Sequence, residues 1–495
     1  MRRHTTVIPA LAALLALALL SIVLAADGAT ERVSVASDGG EANGLSNAAS
    51  VSADGRFITF ASDATNLVPD DNNNNRDIFV HDRLNGTTER VSLASDGAEG
   101  NALSFRPAIS GDGRYVAFRS DSNNLVTDDT NDASDIFVHD RLAGATQRVS
   151  IASGGAQGND DSLTPSISAD GRYVTFTSLA NNLVPGDAND DRDVFLHDRN
   201  TGETELISQA TDGTQGNFAS GGLGAGPART SADGRYVVFG SFASTLVTDD
   251  MNLKDDSFLR DRQNGTTERV SVGQGGIEGD NHSFYPSVSD DGRYVAFTSA
   301  AQNLTTVDAN SANDVFLRDL QAGTTVRISD APGGAQGNGS SDFATISAGG
   351  GVIAFESDAD NLVAGDGNGA TDIFVYRLAS GESEGVSISG DGASSAAAIS
   401  GAGEVVAFQS DATNLVPDDG NGVTDVFVRS DPPPAVATPT PSPIPSPIQL
   451  PITGTGLEGD DGVDPLLWGA ILLAVVGVAI AATLVALRHA RRRHI

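Results

Sequence analysis

The stretch SADGRFITFAS, residues 52–62, decides the fold because it returns down the chain. It reappears as SGDGRYVAFRS at Ser110, SADGRYVTFTS at Ser168, SADGRYVVFGS at Ser231 and SDDGRYVAFTS at Ser289. Decayed copies follow, SAGGGVIAFES at Ser347 and SGAGEVVAFQS at Ser400. The shared phenylalanine falls at Phe60, Phe118, Phe176, Phe239, Phe297, Phe355 and Phe408, in steps of 58, 58, 63, 58, 58 and 53 residues. Self-similarity at one period marks a repeat architecture, here of seven units.

Each unit holds four short runs of strand-forming residues. In the second they are PAIS, RYVAFRS, DIFVHDR and TQRVSIA. Aspartate and glycine separate the first two runs, and hairpin-type turns such as LNGT at Leu84 and QNGT at Gln263 separate the last two. Four-stranded units of this length, without helix signals, predict an all-β, seven-bladed β-propeller. The last unit stops at its third run, DVFVRS from Asp425, while an unmatched fourth-type run, ERVSVAS, begins at Glu31. The N-terminal strand is therefore predicted to complete blade seven, closing residues 31–430 into a ring with no open sheet edge.

The DGR turn, the VAF strand, the DIFV strand and the turn-then-RVS strand resemble the TolB-like, WD-repeat-like propellers of bacterial exported proteins. That resemblance implies the propeller fold over residues 31–430. It leaves activity open, since such propellers serve both as binding platforms and as accessory domains of enzymes.

The flanks read as targeting and anchoring segments. Residues 1–26 carry Arg2 and Arg3, an apolar stretch and the small residues Ala25 and Ala26, the layout of a secretory signal peptide. An uncleaved N-terminal anchor is the other reading, and both imply export. Residues 466–487 contain no charge and, at about 1.5 Å per residue, are long enough to cross a bilayer core of roughly 30 Å as a transmembrane helix. The basic tail 488–495 is then cytoplasmic, and the propeller faces outward. Between them, residues 431–465 form a proline-rich spacer containing LPITG, with Leu450, Pro451, Thr453 and Gly454. LPITG, apolar run and basic tail in that order resemble the sorting signal of cell-wall-anchored proteins. The resemblance implies a sortase that cuts between Thr453 and Gly454 and joins the threonine to the wall. An ordinary single-pass stalk is the alternative, and either places the protein at the cell surface.

Composition narrows the partners. The flanks hold six of the 30 basic residues and none of the 65 acidic ones, which leaves −41 on residues 26–465. With one lysine and no basic patch, the chain is unsuited to nucleic acid. The absence of cysteine excludes disulfides and thiol chemistry.

The most regular polar feature precedes each third strand and reads D-x-N-x-x-x-D. Its members are Asp71, Asn73 and Asp77; Asp129, Asn131 and Asp135; Asp187, Asn189 and Asp193; Asp250, Asn252 and Asp256; Asp308, Asn310 and Asp314; Asp366, Asn368 and Asp372; and Asp419, Asn421 and Asp425. Two readings fit. Oxygen ligands at the first, third and seventh positions resemble the first half of an EF-hand and can hold a weak structural calcium ion. Alternatively, aspartate and asparagine make Asx turns and accept left-handed backbone at a strand entry, with no metal.

Other candidates are sparser. His81, His139 and His197 recur as HDR and read as surface residues at strand ends; His282 stands alone in a loop. The insertion of residues 211–228 accounts for the 63-residue step and is the candidate for a distinctive binding loop, the other and favoured reading being a tolerated glycine-rich insertion. The innermost strands offer mostly serine, alanine and threonine to the channel, with Arg106 and Arg229 as possible contacts for an anion, although such arginines usually pair with nearby aspartates. No catalytic residue is expected. The function predicted is binding or adhesion, toward a protein or glycan ligand; the alternatives are a polysaccharide lyase or hydrolase and a purely structural wall component.

Overall fold

The structure, a computed structural model, describes residues 28–222, 224–305 and 308–431. The signal segment, the LPITG motif, the apolar run 466–487 and the basic tail lie outside the described residues. Among those described, no helix is long and apolar enough to cross a membrane.

Seven four-stranded antiparallel sheets follow one another along the chain. Blade 1 shows the pattern: Ser46–Val51 nearest the axis, then Phe57–Ser62, Asp77–Asp82 and Thr87–Arg90 outward. The same order repeats through blade 7, whose strands Ser394–Ile399, Val405–Ser410 and Asp425–Ser430 are completed by Ala29–Arg32 from the chain's other end. Ala29 pairs with Ser430 and Arg32 with Phe427. The closing strand starts two residues before Glu31, where its apolar pattern had placed it.

The third strands are buried along all six residues in blades 1 to 4, because both faces of each sheet are covered by neighbouring blades. This explains why DIFV reads as a continuous apolar run rather than an alternating one. On one face the second and third strands place their phenylalanines opposite each other, as Phe60 and Phe79, whose rings stack with centroids 5.9 Å apart. All seven blades carry such a pair, at 5.7–6.0 Å. Cross-strand aromatic pairs contribute about 0.5–1.5 kcal/mol each beyond the area they bury. The other face supplies smaller aliphatics. Ala61, Ile78 and Val80 of blade 1 pack against Val116, Phe118 and Phe137 of blade 2, and Phe60 and Phe79 against Val405 and Val428 of blade 7.

The DGR turn has a geometric cause. Ser52 Oγ donates to Asp54 Oδ1 and accepts from the Phe57 amide, closing the turn, while Arg56 forks onto both carboxylate oxygens of Asp82 at 2.8 and 2.6 Å. The same fork recurs as Arg114–Asp140, Arg172–Asp198, Arg235–Asp261 and Arg293–Asp319. Phe57 lies between its own Arg56 and Arg141 of the next blade, with guanidinium carbons 4.6 and 4.3 Å from the ring centroid. Gly113 completes this contact. Its φ is +72°, and a Cβ there would fall 2.2 Å from the Phe57 ring, so only glycine lets the blades approach.

Ring closure is the least redundant contact. Removing residues 29–34 takes away the outer strand of blade 7 and the Ser34 hydroxyl that donates to Asp425 Oδ1 at 2.5 Å. Thermal unfolding of the deletion variant is expected to show a melting temperature lower by about 5 °C or more, whereas an unchanged value would mean that the N-terminal strand closes nothing.

Candidate functional site: the loop face and the channel

The D-x-N-x-x-x-D loops lie beside the inter-blade loops, and the two sets are bonded to each other. Asn73 Oδ1 accepts from the amide of Asn75 at 2.7 Å, and its Nδ2 donates to Asp77 Oδ2 and to the Gly100 carbonyl. The Asx turn is present in all seven loops, through Asn131, Asn189, Asn252, Asn310, Asn368 and Asn421 as well. The fourth position has a positive φ throughout: Asn74, Asp132, Asp190, Leu253, Ser311, Gly369 and Gly422. The seventh-position aspartate is fully buried in every blade and accepts from a serine after the fourth strand, as Asp77 does from Ser92 and Asp425 from Ser34.

What meets these carboxylates is a guanidinium supplied by the fourth strand. Arg90 lies 3.1 Å from Asp71, 3.4 Å from Asp77 and 2.5 Å from Glu99 of the inter-blade loop. Arg148 stands likewise beside Asp129 and Asp135, Arg269 beside Asp250 and Asp256, Arg327 beside Asp314, and Arg32 beside Asp419 and Asp425. Two carboxylate groups, Glu41–Asp419–Asp425 and Asp250–Asp256–Glu278, have oxygens within 4.8 Å of one another, close enough to hold a metal ion. A cation already stands in each, since Arg32 Nη1 is 2.5 Å from Glu41 and Arg269 Nη1 is 2.6 Å from Glu278.

Two blades lack the arginine. Blade 3 has Leu206 there, and Gln215 Nε2 donates to both Asp187 and Asp193, at 2.7 and 2.8 Å. In blade 5 Gln336 makes the same double contact, to Asp308 and Asp314, beside Arg327. Blade 6 has Gly385, and its shortened inter-blade loop carries no glutamine or glutamate at the matching place. Among the described residues Asp366 meets neither a guanidinium nor an amide side chain.

The channel holds what the composition of the inner strands had hidden. Six of the seven inner strands contain a β-bulge, and each bulge holds one residue in left-handed backbone: Ala48, Arg106, Thr164, Tyr285, Phe343 and Ala396, with φ between 49° and 55°. Such conformations cost on the order of 1–3 kcal/mol each and persist where the surroundings fix them. In three of them a neighbouring segment caps the bulge amide: Ala48 donates to Gln409, Ala396 to Glu356 and Tyr285 to the Ala225 carbonyl. Burial pushes the Glu356 carboxyl up to about 7.

These six residues line a cavity of about 730 Å³ together with Phe105, Arg119, Arg229 and Gln409. The Tyr285 and Phe343 rings lie 4.1 Å apart, centroid to centroid. In blade 4 the insertion replaces the bulge: Gly222 and Pro227 join the cavity wall, and the inner strand resumes at Arg229. The C-terminal part of the insertion expected to be a binding loop thus joins the channel lining.

Arg106 and Arg229 differ from the other arginines. Neither makes an ion pair or a side-chain hydrogen bond among the described residues, contrary to the expected pairing with aspartates. Both reach solvent in the lumen, yet the walls around them pull their guanidinium pKa values down through desolvation. The histidines correct another expectation. His81, His139 and His197 are buried, each with Nδ1 at 2.8–2.9 Å from a threonine hydroxyl, and desolvation lowers their pKa values. The conserved interval between the third and fourth strands places that threonine opposite the histidine, a register the sequence contained but its HDR context obscured. His282 pairs with Asp255 at 3.2 Å.

No protein-family model and no curated protein matches the chain. Solved structures do. TolB from Acinetobacter baumannii is 15% identical with a TM-score of 0.35, over 62% of this chain and 58% of its own. The β-propeller domain of the Trilobed protease from Pyrococcus furiosus is 13% identical with a TM-score of 0.49, over 78% and 93%. An oligogalacturonate lyase in complex with manganese is 12% identical with a TM-score of 0.48, over 83% and 95%. The likeness is one of fold.

Charge on the two faces sets the pH dependence. Burial pushes Asp135, Asp193 and Asp256 up to about 6, above the ordinary 3.8, so the folded state binds more protons than the unfolded and stability falls as pH rises from about 4 to 6. On the DGR face, the arginine forks hold Asp82 and Asp198 down at about 2, a contribution lost as pH falls from about 4 toward 2. Melting temperatures recorded across this range are expected to peak near pH 4; a steady rise from pH 4 to 7 would contradict the protonation of the buried aspartates.

Proposed function

We propose that the protein is an exported binding module, displayed at the cell surface, whose ligand enters the channel from the loop face. The observation that carries this reading is the ring of strained, inward-turned residues. Six bulges are maintained at the same position although the residues they present differ, from alanine to arginine, tyrosine and phenylalanine. Bulges re-aim side chains, and left-handed non-glycine residues concentrate at ligand sites. The cavity falls within the roughly 300–1,000 Å³ typical of small-ligand sites. Display rests on the flanking segments: signal peptide, spacer, apolar run and basic tail, with sortase attachment at Thr453 as the finer proposal.

The test is binding of the full-length protein to glycan and protein arrays, with Phe343→Ala as the channel variant and Arg293→Ala as a variant on the DGR face. Phe343→Ala is expected to weaken the bound ligand about tenfold or more while leaving the melting temperature in place. Retained affinity in that variant, with loss in Arg293→Ala, would move the site to the other face.

Calcium is proposed for one loop only, that of Asp366, Asn368 and Asp372 in blade 6, because the other six carboxylate sets already receive an arginine or glutamine donor. Three side chains and a carbonyl imply weak affinity, about 10⁻⁴–10⁻³ M. Millimolar calcium is expected to raise the melting temperature of the native chain and of Asp71→Asn, and to leave Asp366→Asn unmoved. An equal response in all three would refute a blade 6 site.

A further inference from the structure

We infer that the channel ring takes an acidic saccharide, with its negative groups on Arg106 and Arg229 and a sugar face against Tyr285 and Phe343. This rests on the channel reading above and adds the ligand's chemistry.

The first argument is charge. Acidic residues outnumber basic ones 65 to 30, so carboxylates to pair with an arginine are plentiful. Every other arginine set described above uses them: the forks to Asp82 and its equivalents, the cations of the carboxylate loops, and at the channel edge Arg119 with Asp121 and Arg76 with Asp63. Arg106 and Arg229 alone among these face the lumen without an anion. An unpaired, partly desolvated guanidinium is a costly group, and an incoming carboxylate relieves it through charge-assisted, planar hydrogen bonds.

The second argument is shape. Tyr285 and Phe343 present adjacent ring surfaces to the same cavity, and Phe343 is 41% exposed. Aromatic faces beside polar donors suit a ring with apolar C–H faces and equatorial hydroxyls. A peptide is less well served. An extended chain would bind by adding a strand to an inner edge, but the bulges interrupt the ladder there at Arg106, Tyr285 and Phe343. Recognition is left to side chains.

Titration calorimetry of the full-length protein with a uronic-acid oligosaccharide, the neutral oligosaccharide of the same length and an acidic peptide tests the inference. The acidic sugar is expected to bind at least about tenfold more tightly than the neutral one, and Arg106→Gln and Arg229→Gln each to weaken it about tenfold with no change in melting temperature. Equal binding of both sugars, lost in Phe343→Ala but kept in the arginine variants, would overturn the acidic ligand and leave the channel reading standing. Preference for the peptide would overturn the saccharide. Binding of none of the three overturns the inference, and array ligands indifferent to Phe343→Ala would remove the channel reading with it.

Discussion

No blade of this protein has a hydrophobic core of its own. Each four-stranded sheet is apolar on both faces, phenylalanine pairs on one and smaller aliphatics on the other, and each face is buried only by the next blade. The ring must therefore close, because an open end would expose a face of Phe60 and Phe79 or its equivalent to water. Closure is made by four residues, Ala29–Arg32, pairing with the last strand. The DGR aromatics add a second set of contacts between blades: Phe57, Tyr115 and Tyr173 are each held between arginines of adjacent units, while Tyr236 and Tyr294 stack on their own arginine alone.

Surrounding this core is a large excess of acid, and the fold manages it from within. The buried aspartate heading each third strand is tied to a serine, to an asparagine in five blades or a glutamine in the other two, and, in five blades, to an arginine. A fixed guanidinium does what a bound cation does elsewhere: it gathers side chains from three segments at a strand entry. The loop pattern that resembles half an EF-hand thus already meets a side-chain donor in six blades, although buried oxygens of Asp71, Asp250 and Asp308 keep no hydrogen bond, and blade 6, with Gly385 and a shortened loop, stands apart.

The channel follows a different logic. Its bulges hold non-glycine residues in left-handed backbone, and at Ala48, Tyr285 and Ala396 a neighbouring segment caps the bulge amide. Within insertion 211–228, Gly222 and Pro227 contribute to the same wall, while Phe218 stays exposed. Both features place variation at the axis of a ring whose periphery is nearly uniform.

The period of the repeat, the turn residues and the unmatched strand at each end determined the number of blades, their strand order and the closure, because those depend on local pattern and on counting. The Asx turns were legible for the same reason, since they need only residues two apart. Tertiary structure alone decided what completes each carboxylate loop: Arg90 is 13 residues from Asp77 and its place depends on the pairing of the third and fourth strands. It also decided that His81 is buried against Thr88, and that Arg106, Tyr285 and Phe343 meet in one cavity. Those residues lie far apart in sequence, and a bulge that turns one side chain inward leaves no periodic trace; only closing the ring brings them together.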